Sequence, residues 1–321
     1  MRDEKQATPT QTNQEQAQID KMEASVTTAF VGAHGVRAGW RLLIYIAILV
    51  VVSAIVTMAI VKLVGRPRGT PGPVALMGQE VLGFAIAFGA AWIMSLMEKR
   101  RVGEYGLPAS EMFGRKFWLG ILFGLVEIFA LIGLISAFGG YSFGALALTG
   151  SVIFQWGLFH LILFTFVGLF EEFLFRGYMQ YTLADGIGFW PAAVLLSVAF
   201  GAVHLGNPGE GPVGAAGVVM VALLFCFSLK RTGNLWYAVG LHASFDWGET
   251  YLFSVPNSGT FMQGHLSNAV LHGPKWLTGG TVGPEGSVFC FLTLALQFLV
   301  VHLLFPAKKM ETAPEGVVVQ G

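Results

Sequence analysis

Phe170-Glu171-Glu172-Phe173-Leu174-Phe175-Arg176 sets two carboxylates and a guanidinium inside one of the most apolar stretches of a 321-residue chain. A charged side chain at the centre of a bilayer costs roughly 2.5–3.5 kcal/mol on insertion scales. Three more ionisable residues, His204, His242 and Asp246, fall in similarly apolar segments. Such groups must face one another or water. The expected arrangement is a polar cluster inside a helical bundle, and a cluster of that kind is read first as an active site.

The composition around this stretch is that of a membrane protein. Hydrophobic residues make up 54% of the chain and charged residues 12%, against about 25% charged in soluble domains. The formal net charge is zero, so nothing points to nucleic acid. Cys226 and Cys290 both sit in apolar runs and are expected to be buried thiols rather than a metal knuckle or redox pair. The N-terminal region is polar, with no cleavable signal evident, and the first apolar run begins near Trp40.

Working outward, the chain reads as all-α, a polytopic membrane protein with about eight transmembrane helices, each needing about 20 apolar residues. The segments fall near 40–64, 73–97, 117–139, 153–183, 188–206, 212–229, 234–254 and 286–305. Residues 1–38 read as a disordered and juxtamembrane tail, 39–306 as the helical bundle and 307–321 as a disordered C-terminal tail. The longest connection, roughly 255–285, is rich in Gly, Asn and Pro. With the N-terminus inside, Lys and Arg divide eleven to four in favour of the cytoplasmic side, leaving out Arg176. This puts both termini in the cytoplasm, although Lys62, Arg66 and Arg68 dissent on the first outer loop.

The fourth segment is long enough to turn near Ala184-Asp185-Gly186. Glu172 and His204 would then stand roughly 20 and 27 Å from that turn, at 1.5 Å per residue. His242, midway along the seventh segment, falls at a similar depth. Glu172 and Arg176 are four apart with the acid first, the favourable order for a helical ion pair. Glu171 is turned about 100° away and is free for another task. His242 and Asp246 also share a face, so the carboxylate can orient the imidazole, and the same spacing suits two metal ligands. Two schemes follow. Glu171 with His204 deprotonates a water while His242 and Asp246 stabilise an oxyanion, or the histidines and a carboxylate bind a divalent metal that activates the water.

Weaker intramembrane polar groups are Gln79, Glu80, Glu127, Gln155 and His160, which are expected to line a water path or join helices. Gly120 and Gly124 form a small-x-x-x-small pair that signals close helix packing. Trp236 and Tyr237 are expected in an interfacial belt.

Glu171-Glu172-x-x-x-Arg176, Phe200-x-x-x-His204 and His242-x-x-x-Asp246, in this order over roughly 150–305, resemble the motifs of the CPBP family of intramembrane proteases. That family includes the type II CAAX prenyl endopeptidases and bacterial relatives also called the Abi family. The Gly39-Trp40-Arg41 entry and the Gly279-Gly280 to Gly286 stretch are similar to bacterial members. The resemblance implies an endopeptidase in a bacterial plasma membrane, with membrane lipid and a peptide or lipidated protein as partners. It implies Glu171 as general base, His204 as its partner, Glu172 and Arg176 as organisers, and His242 with Asp246 as the oxyanion site. No cofactor is implied with certainty. A divalent metal such as zinc on Glu171, His204, His242 and Asp246 is the open alternative. Asp246 departs from the Asn of the best-known prenyl proteases: an ionised Asp accepts and does not donate but suits a metal or an orienting bond to histidine, and burial among like charges can protonate it, so donation stays open. Two rival readings remain, a proton- or cation-coupled transporter and a non-catalytic immunity or scaffold protein.

Overall fold

The computed structural model describes residues 14, 16–18, 20–22, 30–32, 35–65 and 71–307. Most of the two expected tails, 1–38 and 307–321, lies outside the described residues, as do Arg66, Arg68, Lys308 and Lys309 of the charge count.

Nine helices carry the described fold. They are α1 (Ala38–Val64), α2 (Pro73–Met97), α3 (Arg115–Ala137), α4 (Ser151–Arg176), α5 (Tyr178–Ile187), α6 (Phe189–His204), α7 (Pro212–Thr232), α8 (Trp236–Trp247) and α9 (Val288–Leu304). A π-helical turn, Gly248–Leu252, extends α8. Short 3₁₀ turns, the helical turn Lys275–Thr278 and a pair of two-residue antiparallel ladders fill the connections. Pro73 and Pro212 open α2 and α7, where a missing N–H removes no helical bond. Gly233 closes α7 in the left-handed conformation, at φ 80°.

The protein is an all-α membrane protein. Each of the eight expected segments is helical, but their lengths differ. Ala38–Val64, Pro73–Met97, Arg115–Ala137, Ser151–Ile187 and Pro212–Thr232 are long and apolar enough to cross a bilayer. Helices α6 and α9 are apolar but shorter, and α8 has 12 residues before its π turn. The fourth segment also differs from expectation. It breaks at Gly177, where a Cβ would stand 2.2 Å from the Phe173 carbonyl oxygen. It then runs on as α5 and turns at Gly188, at φ 86°, rather than at 184–186.

Two apolar clusters make the core. One joins α1, α2, α4 and α5 through Tyr45, Met94, Phe173 and Tyr178. The other joins α3, α7, α8 and α9 through Ile128, Phe225, Leu241 and Leu294. The glycine pair on α3 does what its spacing implies. A Cβ on Gly120 would lie 2.2 Å from the Tyr237 carbonyl oxygen, and one on Gly124 would lie 2.2 Å from Ser244 Oγ. Gly240 of α8 returns the contact, 2.2 Å from the Phe117 carbonyl oxygen. This close approach fixes the helix that bears His242 and Asp246. It also explains why Trp236 and Tyr237 are not an interfacial belt. Both are buried, and the Trp236 indole donates to the Pro108 carbonyl at 3.1 Å.

Outside the bundle centre, Arg41 ties α1 to Glu98 and to Asp185, each at 3.1 Å. The Tyr105 and Tyr178 hydroxyls also donate to Glu98. The long connection after the π turn folds back onto the bundle. Ser258 donates through its backbone N–H and its hydroxyl to Glu285, just before α9.

Candidate active site

A cavity of about 360 Å³ opens between the helices, with Glu80, Glu127, Glu171, Phe200, His204, His242, Asp246, Asn257, Ser258 and Glu285 in its wall. Helices α2, α3, α4, α6, α7, α8 and α9 all contribute, so no local segment defines it.

The adjacent glutamates of α4 are separated by the helix turn. Glu172 and Arg176 are fully buried, with the guanidinium Nη1 3.4 Å from Glu172 Oε1. The same oxygen accepts from His242 Nδ1 at 3.0 Å. Glu171 instead keeps 26% of its side chain exposed in the cavity wall. A carboxylate held by a buried arginine stays an acceptor, so the proton between it and His242 belongs to Nδ1. The Nε2 atom of His242 then faces Asp246 Oδ2 at 3.5 Å and Glu171 Oε2 at 3.8 Å. Phe225 lies parallel to the ring, with centroids 5.4 Å apart, and holds its plane.

Arg176 has an unexpected neighbour. Its guanidinium carbon lies 4.3 Å from the centroid of the Phe200 ring, while among the described residues Nε and Nη2 find no oxygen or nitrogen partner and Cys226 lies close by. Phe200 also packs against His204, with ring centroids 4.4 Å apart, and its carbonyl accepts from His204 Nδ1 at 2.8 Å. That bond leaves Nε2 of His204 as the ring's acceptor. One residue of α6 thus covers the arginine and orients the histidine.

The structure therefore brings Glu171, His204, His242 and Asp246 into one cavity wall, with Glu172 and Arg176 packed behind it. Glu171 and His204 share the cavity, but the ion-pair neighbour of Glu171 is His242. The four residues offered as metal ligands all line the cavity. Among the described residues, however, no group of three His, Cys, Asp or Glu side chains is arranged to hold a metal ion. His204 and His242 each have Nδ1 committed, one to a backbone carbonyl and the other to Glu172.

Glu80 and Glu127, weak signals in the sequence, both reach the cavity. Gln79 and Gln155 lie on exposed faces. His160 is buried, bonded through Nε2 to the Gln263 carbonyl at 3.0 Å. The sequence reading missed Asn257, Ser258 and Glu285, which come from the long connection. Its richness in Asn, Gly and Pro was visible, but its return into the bundle depends on contacts 27 residues apart. Burial, with Asp246 nearby, pushes the Glu285 carboxyl up to about 8, against the opposing pull of the Ser258 hydrogen bonds.

Residues 153–248, from the start of α4 to just past the end of α8, match the family described as type II CAAX prenyl endopeptidase Rce1-like. No curated protein and no solved structure matches the chain. The matched stretch contains Glu171, Glu172, Arg176, Phe200, His204, His242 and Asp246. Over that stretch, which supplies the glutamate pair and both histidines of the site, the chain is similar to the CAAX-protease family, while Glu80, Glu127, Asn257 and Glu285 of the cavity wall lie outside the match.

Proposed function

We propose that the protein is an intramembrane endopeptidase that hydrolyses a peptide bond of a membrane-associated or lipidated protein. The observation that carries this reading is the division of labour between adjacent glutamates. Glu172 is fully buried and engaged by Arg176 and His242, while Glu171 stands in the cavity wall with His204, His242 and Asp246.

In the proposed reaction, Glu171 takes a proton from a water that His204 Nε2 orients as acceptor. The water oxygen attacks the scissile carbonyl, and the carbonyl oxygen gains the charge. His242 acts as an imidazolium among Glu172, Glu171 and Asp246: its Nδ1–H is held by Glu172 and its Nε2–H is donated to that oxygen, with Asp246 orienting the ring. The tetrahedral intermediate collapses as Glu171 passes its proton to the leaving nitrogen and the C–N bond breaks. General acid–base help of this kind contributes about 10²–10⁴-fold, and one well-aimed oxyanion donor about 10²–10³-fold. Glu172 and Arg176 act as positioning residues, and Phe200 supports both Arg176 and His204.

The family acts on prenylated proteins, which makes a lipidated peptide the first probe. Purified full-length protein in detergent is mixed with an internally quenched library of farnesylated and unmodified peptides. Cleavage that disappears in Glu171→Ala and His204→Ala, with the melting temperature retained, supports the reading. Ion flux in liposomes that the same substitutions abolish, without any cleavage, would replace it with a transporter.

A further inference from the structure

The hydrolytic scheme leaves one buried donor of the cavity wall without a task. Asn257 lies there with His242 and Asp246, and is only 8% exposed. Its amide approaches the Asp246 carboxylate as a hydrogen-bond donor, but among the described residues no acceptor meets Nδ2 at full hydrogen-bonding geometry, and an amide carries two N–H donors. Buried amide donors are rarely left open in native interiors, and an open one calls for an acceptor supplied from the cavity.

The backbone around Asn257 is clamped. Its N–H donates to the Thr260 carbonyl at 3.0 Å, and its own carbonyl accepts from Thr260 N–H at 2.8 Å. The next residue, Ser258, holds φ 43°, a left-handed conformation unusual for a side-chain-bearing residue. Three contacts from Ser258 to Glu285, at 3.0–3.1 Å, lock that turn against the start of α9. The amide therefore stands on a fixed support rather than a free loop, which is the condition for useful oxyanion stabilisation.

The chemistry of the wall asks for such a donor. An ionised Asp246 only accepts, so His242 Nε2 is otherwise alone in facing a developing negative oxygen. We propose that the Asn257 side-chain amide is the second oxyanion donor of the site, acting beside His242. The assignment rests on the hydrolase reading. Asn257 gains and loses no proton. Its N–H hydrogen-bonds the carbonyl oxygen as water adds and the C=O bond becomes single, and it releases that oxygen when the carbonyl re-forms and the C–N bond breaks.

The test uses the full-length protein in detergent and one quenched peptide selected from the library by wild-type cleavage. Asn257→Ala and the near-isosteric Asn257→Asp are expected to lower kcat by about 10²–10³-fold. KM, and binding of the intact peptide to Glu171→Ala with and without Asn257→Ala, should stay within about threefold. If Asn257→Ala does not fold, Asn257→Asp carries the measurement. A kcat held within about threefold of wild type, or a loss confined to KM, overturns the assignment while leaving the hydrolase reading intact. Absence of cleavage across the whole library overturns the hydrolase reading and this assignment with it.

Discussion

The guanidinium carbon of Arg176 lies over the ring of Phe200, 4.3 Å from its centroid, while its Nη1 faces Glu172 at 3.4 Å. The arginine is thus held by the Glu172 carboxylate and by aromatic rings, Phe200 nearest and Phe175 and Phe225 each at 5.7 Å. Removing Arg176 takes from the buried Glu172 its permanently charged partner and leaves His242 to hold it. Arg176→Ala is expected to cost about 3–5 kcal/mol, measured as a drop in the thermal or chemical unfolding midpoint in detergent. Glu171→Ala should leave that midpoint close to wild type, because Glu171 is partly exposed.

Phe200→Leu keeps an apolar side chain but removes the π face. A desolvated cation–π contact is worth about 0.5–2 kcal/mol, so a loss of that size is expected in the unfolding midpoint. Activity should also fall, because the same ring packs on His204 at 4.4 Å. Unchanged stability in Phe200→Leu would show that the ring does not support Arg176.

Helix α8 is seated on α3 through backbone-to-backbone approach at Gly120, Gly124 and Gly240. Gly124→Leu has nowhere to go without moving Ser244 and Leu241. Overpacking of this kind costs about 1–3 kcal/mol or more, and the displaced helix carries His242 and Asp246. The expected result is reduced cleavage together with a lower unfolding midpoint. Gly133→Leu, where a Cβ meets nothing within 4 Å, is the matched control and should be tolerated.

Glu285 links pH to stability. Its folded-state carboxyl is raised from 4.5 to about 8, so the folded protein binds its proton more tightly than the unfolded chain. The stabilisation from this site is full below about pH 4.5 and is lost as pH rises towards 8. Glu285→Gln removes that dependence. The unfolding midpoint of the variant should fall less than wild type between pH 5 and 8.5, and parallel curves for the two proteins would contradict this.

How much of this was legible in the sequence depends on the range of the contacts involved. Period and spacing within one helix revealed the Glu172–Arg176 pair, the His242–Asp246 face and the small-residue seam at Gly120 and Gly124. The helical nature of all eight segments also followed from their apolar runs. What stayed hidden depends on pairings between distant segments. Nothing local says that Phe200 meets Arg176, 24 residues earlier, or that the 255–285 connection folds back to set Asn257 and Ser258 in the cavity wall. The break at Gly177 escaped notice because apolar residues continue on both sides of it, and only the Phe173 carbonyl makes glycine necessary there. Trp236 and Tyr237 carry an interfacial composition, but the glycine seam draws them inside.

Metal dependence separates the two hydrolytic schemes. Anchoring of His204 and His242 through Nδ1 is compatible with either scheme, and the proposed one gives water activation to Glu171 and His204 with no metal. Cleavage is therefore expected to persist after dialysis against a strong chelator and to be unresponsive to added zinc. Loss on chelation with recovery on zinc addition would move Glu171, His204, His242 and Asp246 into the role of ligands.

The central claim is that Glu171, and not its neighbour Glu172, drives hydrolysis from the shared cavity. The most direct measurement is single-turnover cleavage of one library-selected quenched peptide by wild type, Glu171→Gln and His204→Ala in the same detergent. Glu171→Gln should lose at least about 10²-fold in rate while still binding the peptide and unfolding at the wild-type midpoint, with His204→Ala also impaired. Cleavage at the wild-type rate in both variants would contradict the claim.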